Sequence, residues 1–168
     1  SVNISPTQLY DNHLLPSLKL LSETYSMPLN RVELELTEDV ALSNSLMVKK
    51  QLDELRAMGI AISVDDFGKG YSNLAYIRDL DLTALKIDKT FVMELTDHPV
   101  NRAIIEAANI IGKAKGCAVI AEGVETIKQL HILREVGVRQ GQGYLFSKAV
   151  PLGSFIQLAQ RDIIVGTS

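Results

Sequence analysis

The chain has 168 residues, 46% of them hydrophobic and 22% charged, the balance of one folded domain with a sizeable core and not of a disordered or fibrous chain. Lys and Arg sum to 17 against 20 Asp and Glu, a formal net charge of -3 that argues against a basic polyanion-binding surface and so against long nucleic acid as a partner. A single cysteine, Cys117, excludes an internal disulfide and a Cys-based zinc site, and no run of about 18 apolar residues is present to span a membrane, so a cytoplasmic location is expected.

In chain order, short β-rich runs alternate with longer helical patterns, as in repeated βα units around a parallel sheet. Ser1 is not an initiator Met, and Val2-Asn3-Ile4 reads as a strand already under way; the expectation is that the chain is cut from a longer protein. Asn3-Ile4-Ser5 fits a glycosylation sequon, but nothing in the sequence indicates secretion. Strands follow at Val32 to Leu36, Ile60 to Val64, Ala84 to Ile87 and Ala118 to Ala121, with a weaker one around Gly143-Tyr144-Leu145-Phe146. Each reads as apolar enough to be buried on both faces.

Among the helices, Ser43 to Met58 places Val48, Leu52 and Leu55 on one face and stops at Gly59. Pro99 opens another, with Ile104, Ala108 and Ile111 as its buried stripe and Gly112 and Gly116 as its ending. Thr126 caps a third carrying Ile127, Leu130 and Leu133, closed by Gly137. Cys117, in the apolar run Cys117-Ala118-Val119-Ile120, is expected to be a buried, inert thiol. A closed (β/α) barrel uses eight strands and about 250 residues, so six strands make this an α/β, TIM-type barrel, incomplete in this chain, with two βα units expected before Ser1. An open doubly wound sheet would concentrate its polar residues at one or two switch-point loops, which is not the pattern here.

Nearly every strand run ends in a polar residue that a purely structural strand does not need. Asn3 belongs to the first, Glu35 and Glu38 end the second, Asp65 and Asp66 the third, Lys86 and Asp88 the fourth, Glu122 and Glu125 the fifth, and Gln142 lies at the sixth. In a barrel these positions converge on one face. Converging Glu35, Asp65, Asp66 and Glu122 is costly without a counterion, since like charges about 4 Å apart repel by about 4 kcal/mol at an effective dielectric of about 20. Lys86 supplies one charge against four carboxylates. Oxygen ligands and one amide favour a hard cation, Mg²⁺ or Mn²⁺, and a two-metal site suits phosphoryl displacement.

Other signals are weaker. Asp39 reads as an acid complementing a helix dipole. Gly68-Lys69-Gly70 lacks the spacing of a phosphate-binding loop and is read as hinges for the segment from Phe67 to Leu74 over the barrel mouth. His13, His98 and His131 have no mutual spacing and read as surface or packing residues, and the aromatic residues are too scattered for a nucleic-acid stacking platform.

Taken as an ordered set, Asn3-Ile4-Ser5, Glu35-Leu36-Thr37-Glu38, Asp65-Asp66-Phe67-Gly68-Lys69-Gly70-Tyr71-Ser72, Lys86-Ile87-Asp88, Ala121-Glu122-Gly123-Val124-Glu125 and Gln142-Gly143-Tyr144 resemble the motifs of the EAL-domain family of bacterial cyclic di-GMP phosphodiesterases. The resemblance covers essentially residues 1–168 as one domain. It implies hydrolysis of cyclic di-GMP to linear pGpG in a barrel holding two Mg²⁺ or Mn²⁺ ions. It makes Asn3, Glu35 and Asp65 metal ligands, with Asp66 serving the second metal. Lys86 would hold the attacking water or a phosphate oxygen, and Glu122 would act as base or metal ligand. Glu38 would anchor the loop after Asp66, Glu125 and Gln142 would line the active site, and Asp88 would stand beside them.

The sequence departs from the family pattern in three places. The Glu-x-Leu motif should lie before Ser1, Lys69 stands where the family usually has a small residue, and Ala149-Val150 interrupts the usual Lys/Arg-Pro. Impaired activity of the chain by itself is therefore expected, and open sheet edges invite pairing with another chain, as in a homodimer. Sensory or diguanylate cyclase domains are expected in the parent, which other domains could tether to a membrane. The alternative from a different class is a non-catalytic cyclic di-GMP receptor or protein-interaction domain.

Overall fold

The computed structural model describes residues 1–11, 13–38, 46–69 and 74–160, with only the backbone of 74–76. Asp39, Ser43, Gly70, Tyr71 and Ser72, singled out above, lie outside the described residues.

The strands are β1 (Val2–Asn3), β2 (Glu33–Thr37), β3 (Ala61–Phe67), β4 (Ala84–Ile87), β5 (Ala118–Ala121) and β6 (Gln140–Gly141). Interleaved with them are α1 (Pro6–Leu9), α2 (Leu14–Tyr25), α3 (Leu46–Ala57), α4 (Leu74–Asp79), α5 (Lys89–Met93), α6 (Pro99–Lys115), α7 (Ile127–Glu135) and α8 (Leu152–Ala159). All neighbouring strands pair in parallel, in the sheet order β1-β2-β3-β4-β5-β6. Because parallel crossovers are right-handed, a strand order that never reverses puts every crossover helix on the same side, which is barrel winding and not double winding. The described strands form an open α/β sheet of that barrel type.

The register explains the two faces of the sheet. Leu34, Leu36, Ile62, Val64, Leu85 and Ile87 point to the helical side, and all are buried in one cluster with Val48, Leu52 and Leu55 of α3 and Ile105 and Ala108 of α6. The opposite face carries the alternate residues. Glu35 pairs with Ser63, Thr37 with Asp65, Ser63 with Ala84, and Lys86 with Ile120. The expectation of strands apolar on both faces is therefore corrected: only the helical face is uniformly apolar, and the other combines small residues and Ile120 with the charged groups of the site.

Strand β3 also runs past its expected end at Val64. Val64 pairs with Leu85 but Phe67 with Ile87, so β3 gains one residue over β4, a bulge at Asp65-Asp66 with Asp66 at φ 55°. The extra residue returns Phe67 to the buried helical face beside Ile87 and takes Asp66 out of the alternation.

Local signals set most helix ends. Ser5, third residue of the sequon, caps α1 in a reciprocal box with Gln8, and Thr126 does the same for α7 with Gln129. Pro99 starts α6 and Gly116, at φ 71°, ends it. Gly112 does not end α6. It lies inside the helix, where a Cβ would stand 2.3 Å from Val119 Cγ2, so it permits close helix–sheet packing. The buried stripe of α6 is Ile105, Ala108, Asn109 and Gly112, with Ile104 and Ile111 only partly covered, and Ile127 of α7 is exposed. Cys117 is half-buried, and burial pushes its thiol pKa up.

The sixth strand is displaced from its expected place. β6 is Gln140–Gly141, while Gly143 to Phe146 turns, with Leu145 N–H donating to Val124 O and Phe146 N–H to Gly143 O. The cause is backbone packing: a Cβ on Gly143 would lie 2.2 Å from Val124 O. Helix α8, not anticipated from the sequence, follows this turn.

Candidate active site

The C-terminal ends of the strands bring together groups far apart in sequence. Lys86 of β4 is buried, and its Nζ lies 3.0 Å from Glu35 Oε2 of β2, 3.2 Å from Asp65 Oδ1 of β3 and 2.7 Å from Glu122 Oε1 just after β5. Gln142, just after β6, donates from Nε2 to the same Glu122 oxygen at 2.7 Å. Five strands, β2 to β6, thus contribute to one polar cluster, while Asn3 of β1 pairs in register with Glu35 and is itself exposed.

The electrostatics follow from burial and pairing. Burial works against the Lys86 charge, but hydrogen bonds to Glu122 and Glu35 and the nearby Asp65 outweigh it and raise the ammonium pKa. Glu122 shifts upward, first because it is buried and then because Asp65 and Glu35 stand close, an effect Lys86 only partly offsets. Burial pushes Glu35 up as well, yet hydrogen bonds from Ser1 and Lys86 bring it below the ordinary glutamate value.

Asp66 does not join this cluster. The bulge turns it toward Asp88, where Lys69 Nζ lies 3.8 Å from Asp66 Oδ1 and 3.4 Å from Asp88 Oδ2. Asp88 caps α5: its Oδ1 accepts from Thr90 N–H at 2.8 Å and from the Thr90 hydroxyl. Burial pushes Asp88 up, but these bonds, the Asp66 hydrogen bond and Lys69 prevail and hold it down at about 2. Asp66 moves the other way, raised chiefly by the hydrogen bond it shares with Asp88 and by burial.

Glu38 is buried, and its Oε2 accepts from Gly68 N–H at 3.0 Å. Glu125 is exposed and, with Glu122 and Gln142, lines a cavity of about 880 Å³. The sequence reading missed Lys89, Lys148 and Phe155, which line the same cavity; the apolar run of α8 was the available signal for Phe155. A second cavity of about 720 Å³ lies between α2 and α3, and none of the residues above lines it.

With their oxygens turned onto Lys86, the carboxylates form no three-ligand metal cluster among the described residues. What fits a hard cation is their chemistry and charge: three carboxylates meet one ammonium, leaving a surplus of two negative charges on oxygen donors.

Comparison with known proteins places this geometry in context. The EAL domain model matches residues 1–149. The cyclic di-GMP phosphodiesterase PA2567 of Pseudomonas aeruginosa is 37% identical over 148 residues, which cover 88% of this chain and 25% of that protein. The EAL enzyme Bd1971, solved with cAMP and cyclic di-GMP bound, superimposes with a TM-score of 0.90 at 36% identity, covering 95% of this chain and 42% of that one. The manganese and cyclic di-GMP complex of Klebsiella pneumoniae BlrP1 gives a TM-score of 0.81 at 28% identity, covering 88% of this chain and 38% of that one. The chain spans about a quarter of the length of PA2567.

Proposed function

Because the chain belongs to the EAL domain family, we propose that residues 1–168 form one phosphodiesterase domain that, in its parent protein, hydrolyses cyclic di-GMP to linear pGpG with Mg²⁺ or Mn²⁺. The observation that carries this reading is the convergence of Glu35, Asp65 and Glu122 on the buried Lys86, with Gln142 behind Glu122.

Asn3, Glu35 and Asp65 would hold one cation and Asp66 a second. When bound, such cations supply Lewis-acid activation of a water and stabilise the leaving oxygen of a phosphoryl displacement. Lys86 offers its ammonium to the attacking water or to a phosphate oxygen, a role that its raised pKa supports by keeping it charged. Glu122, whose carboxyl is shifted upward, takes a proton more readily than an ordinary glutamate, and the Gln142 amide fixes which way its oxygen faces. Glu38 anchors the chain at Gly68 just after the bulge. Glu125 and Gln142 border a cavity whose volume is that of a small-ligand site, and Asp88 supports Asp66 from the start of α5.

The same reading makes cyclic di-GMP the partner and puts sensory or diguanylate cyclase domains elsewhere in the parent. It also carries a cytoplasmic location; among the described residues no helix is long and apolar enough to cross a membrane. The test is to incubate the parent protein with cyclic di-GMP and Mg²⁺ or Mn²⁺ and follow pGpG by chromatography. Product is expected, and Asp65→Asn should reduce its rate by about 100-fold or more. Binding of cyclic di-GMP by the parent without any pGpG would overturn the enzyme reading in favour of a receptor.

A further inference from the structure

The two acidic groups at the strand ends differ in how their charge is balanced. Around Lys86 stand three carboxylates, so two negative charges remain uncompensated. Around Lys69 stand two, Asp66 and Asp88, at 3.8 and 3.4 Å, so one ammonium offsets half of the full charge. Asp88 divides its contacts: Oδ1 accepts from the Thr90 N–H and hydroxyl, Oδ2 lies 3.4 Å from Lys69 Nζ, and the side chain also shares a hydrogen bond with Asp66. The Asp88 side chain is 1% exposed, whereas that of Lys69 is 57% exposed, so the lysine lies over the aspartate from the solvent side.

We propose that Lys69 is a resident counterion of the Asp66–Asp88 pair that competes with a second divalent cation, so that this chain takes up two cations stepwise. The inference rests on the reading above that Asp66 serves a second metal. A first cation meets a net negative surplus around Glu35 and Asp65, where one ammonium faces three carboxylates. A second meets an ammonium 3.8 Å from Asp66 Oδ1, and it must displace the Lys69 side chain and part the Asp66–Asp88 hydrogen bond before both Asp66 oxygens are free. Lys86 cannot play this part, because it is buried among carboxylates of three strands.

The test is a Mn²⁺ titration of the protein in which the electron paramagnetic resonance signal of free Mn²⁺ reports the unbound ion, so that no catalytic activity enters the readout. Wild type is expected to bind two ions in classes at least about tenfold apart. Lys69→Ala should tighten the weaker class by about tenfold, the scale set by a unit charge a few ångströms from a divalent ion in near-aqueous surroundings. Lys69→Arg, which keeps the charge, should preserve the gap. Lys69 is largely exposed, so neither variant disturbs the core. Two-site isotherms that superimpose for wild type and Lys69→Ala, or one class in both, would overturn the inference and leave the phosphodiesterase reading standing. No bound Mn²⁺ in either protein would overturn the metal reading together with the inference.

Discussion

Replacing Lys86 with Met removes the ammonium while keeping most of the side-chain length, and so isolates the charge at the centre of the site. Three carboxylate oxygens lie 3.0, 3.2 and 2.7 Å from Nζ. At an effective dielectric of about 20 each contact represents about 4 kcal/mol or more of attraction, most of it offset by the cost of taking the charges out of water. Removing one partner of such a buried set leaves the others uncompensated, and a loss of about 3–5 kcal/mol in unfolding free energy at pH 7 is expected. Without Lys86, Glu35, Asp65 and Glu122 repel one another, and the pKa values of Glu35 and Glu122 rise in the folded state. The folded variant then binds more protons than the unfolded one, so its deficit should shrink as pH is lowered from 7 toward 5. Added Mn²⁺ should shrink it too, by supplying the missing positive charge. Urea unfolding followed by circular dichroism at several pH values, with and without Mn²⁺, measures both. A deficit below about 1 kcal/mol, or one indifferent to both pH and Mn²⁺, would refute the electrostatic account and leave only lost packing of the lysine stem.

Gly143→Ala places a Cβ 2.2 Å from Val124 O and 2.3 Å from Val124 N, backbone atoms that cannot rotate aside, so a stability loss of about 3 kcal/mol and a lower melting temperature are expected. Asp88→Asn keeps a capping side chain at the start of α5 but removes a carboxylate held at about 2, below its ordinary 3.8. A depressed carboxylate stabilises the fold above its unfolded pKa and loses that effect as pH falls through its folded one. The stability advantage of wild type over Asp88→Asn should therefore fade between about pH 4 and pH 2, and urea titrations across that window check it. Glu38→Ala removes the acceptor of the Gly68 N–H bond, and hydrogen exchange at the Gly68 amide should quicken by about tenfold or more while amides of β5 hold their rates.

Much of this molecule is legible in its sequence because the relevant signals are local. Alternating apolar runs and amphipathic stretches identify β2 to β5, α3, α6 and α7, and Pro99, Gly116 and Thr126 mark helix ends through backbone chemistry confined to a single turn. The recurrence of polar residues at strand ends is likewise visible before any fold is known, and it picks out Glu35, Asp65, Lys86, Glu122 and Gln142, which the structure brings into one cluster. Tertiary contacts decided the rest. The bulge that separates Asp66 from Asp65 comes from the register of β3 against β4, and the displaced sixth strand from the fit of Gly143 against Val124. Which carboxylates meet Lys86 and which meet Lys69 depends on where each strand ends relative to its neighbours. Those relations join residues tens of positions apart, and strand register, unlike a helix cap, is set only when the strands pair.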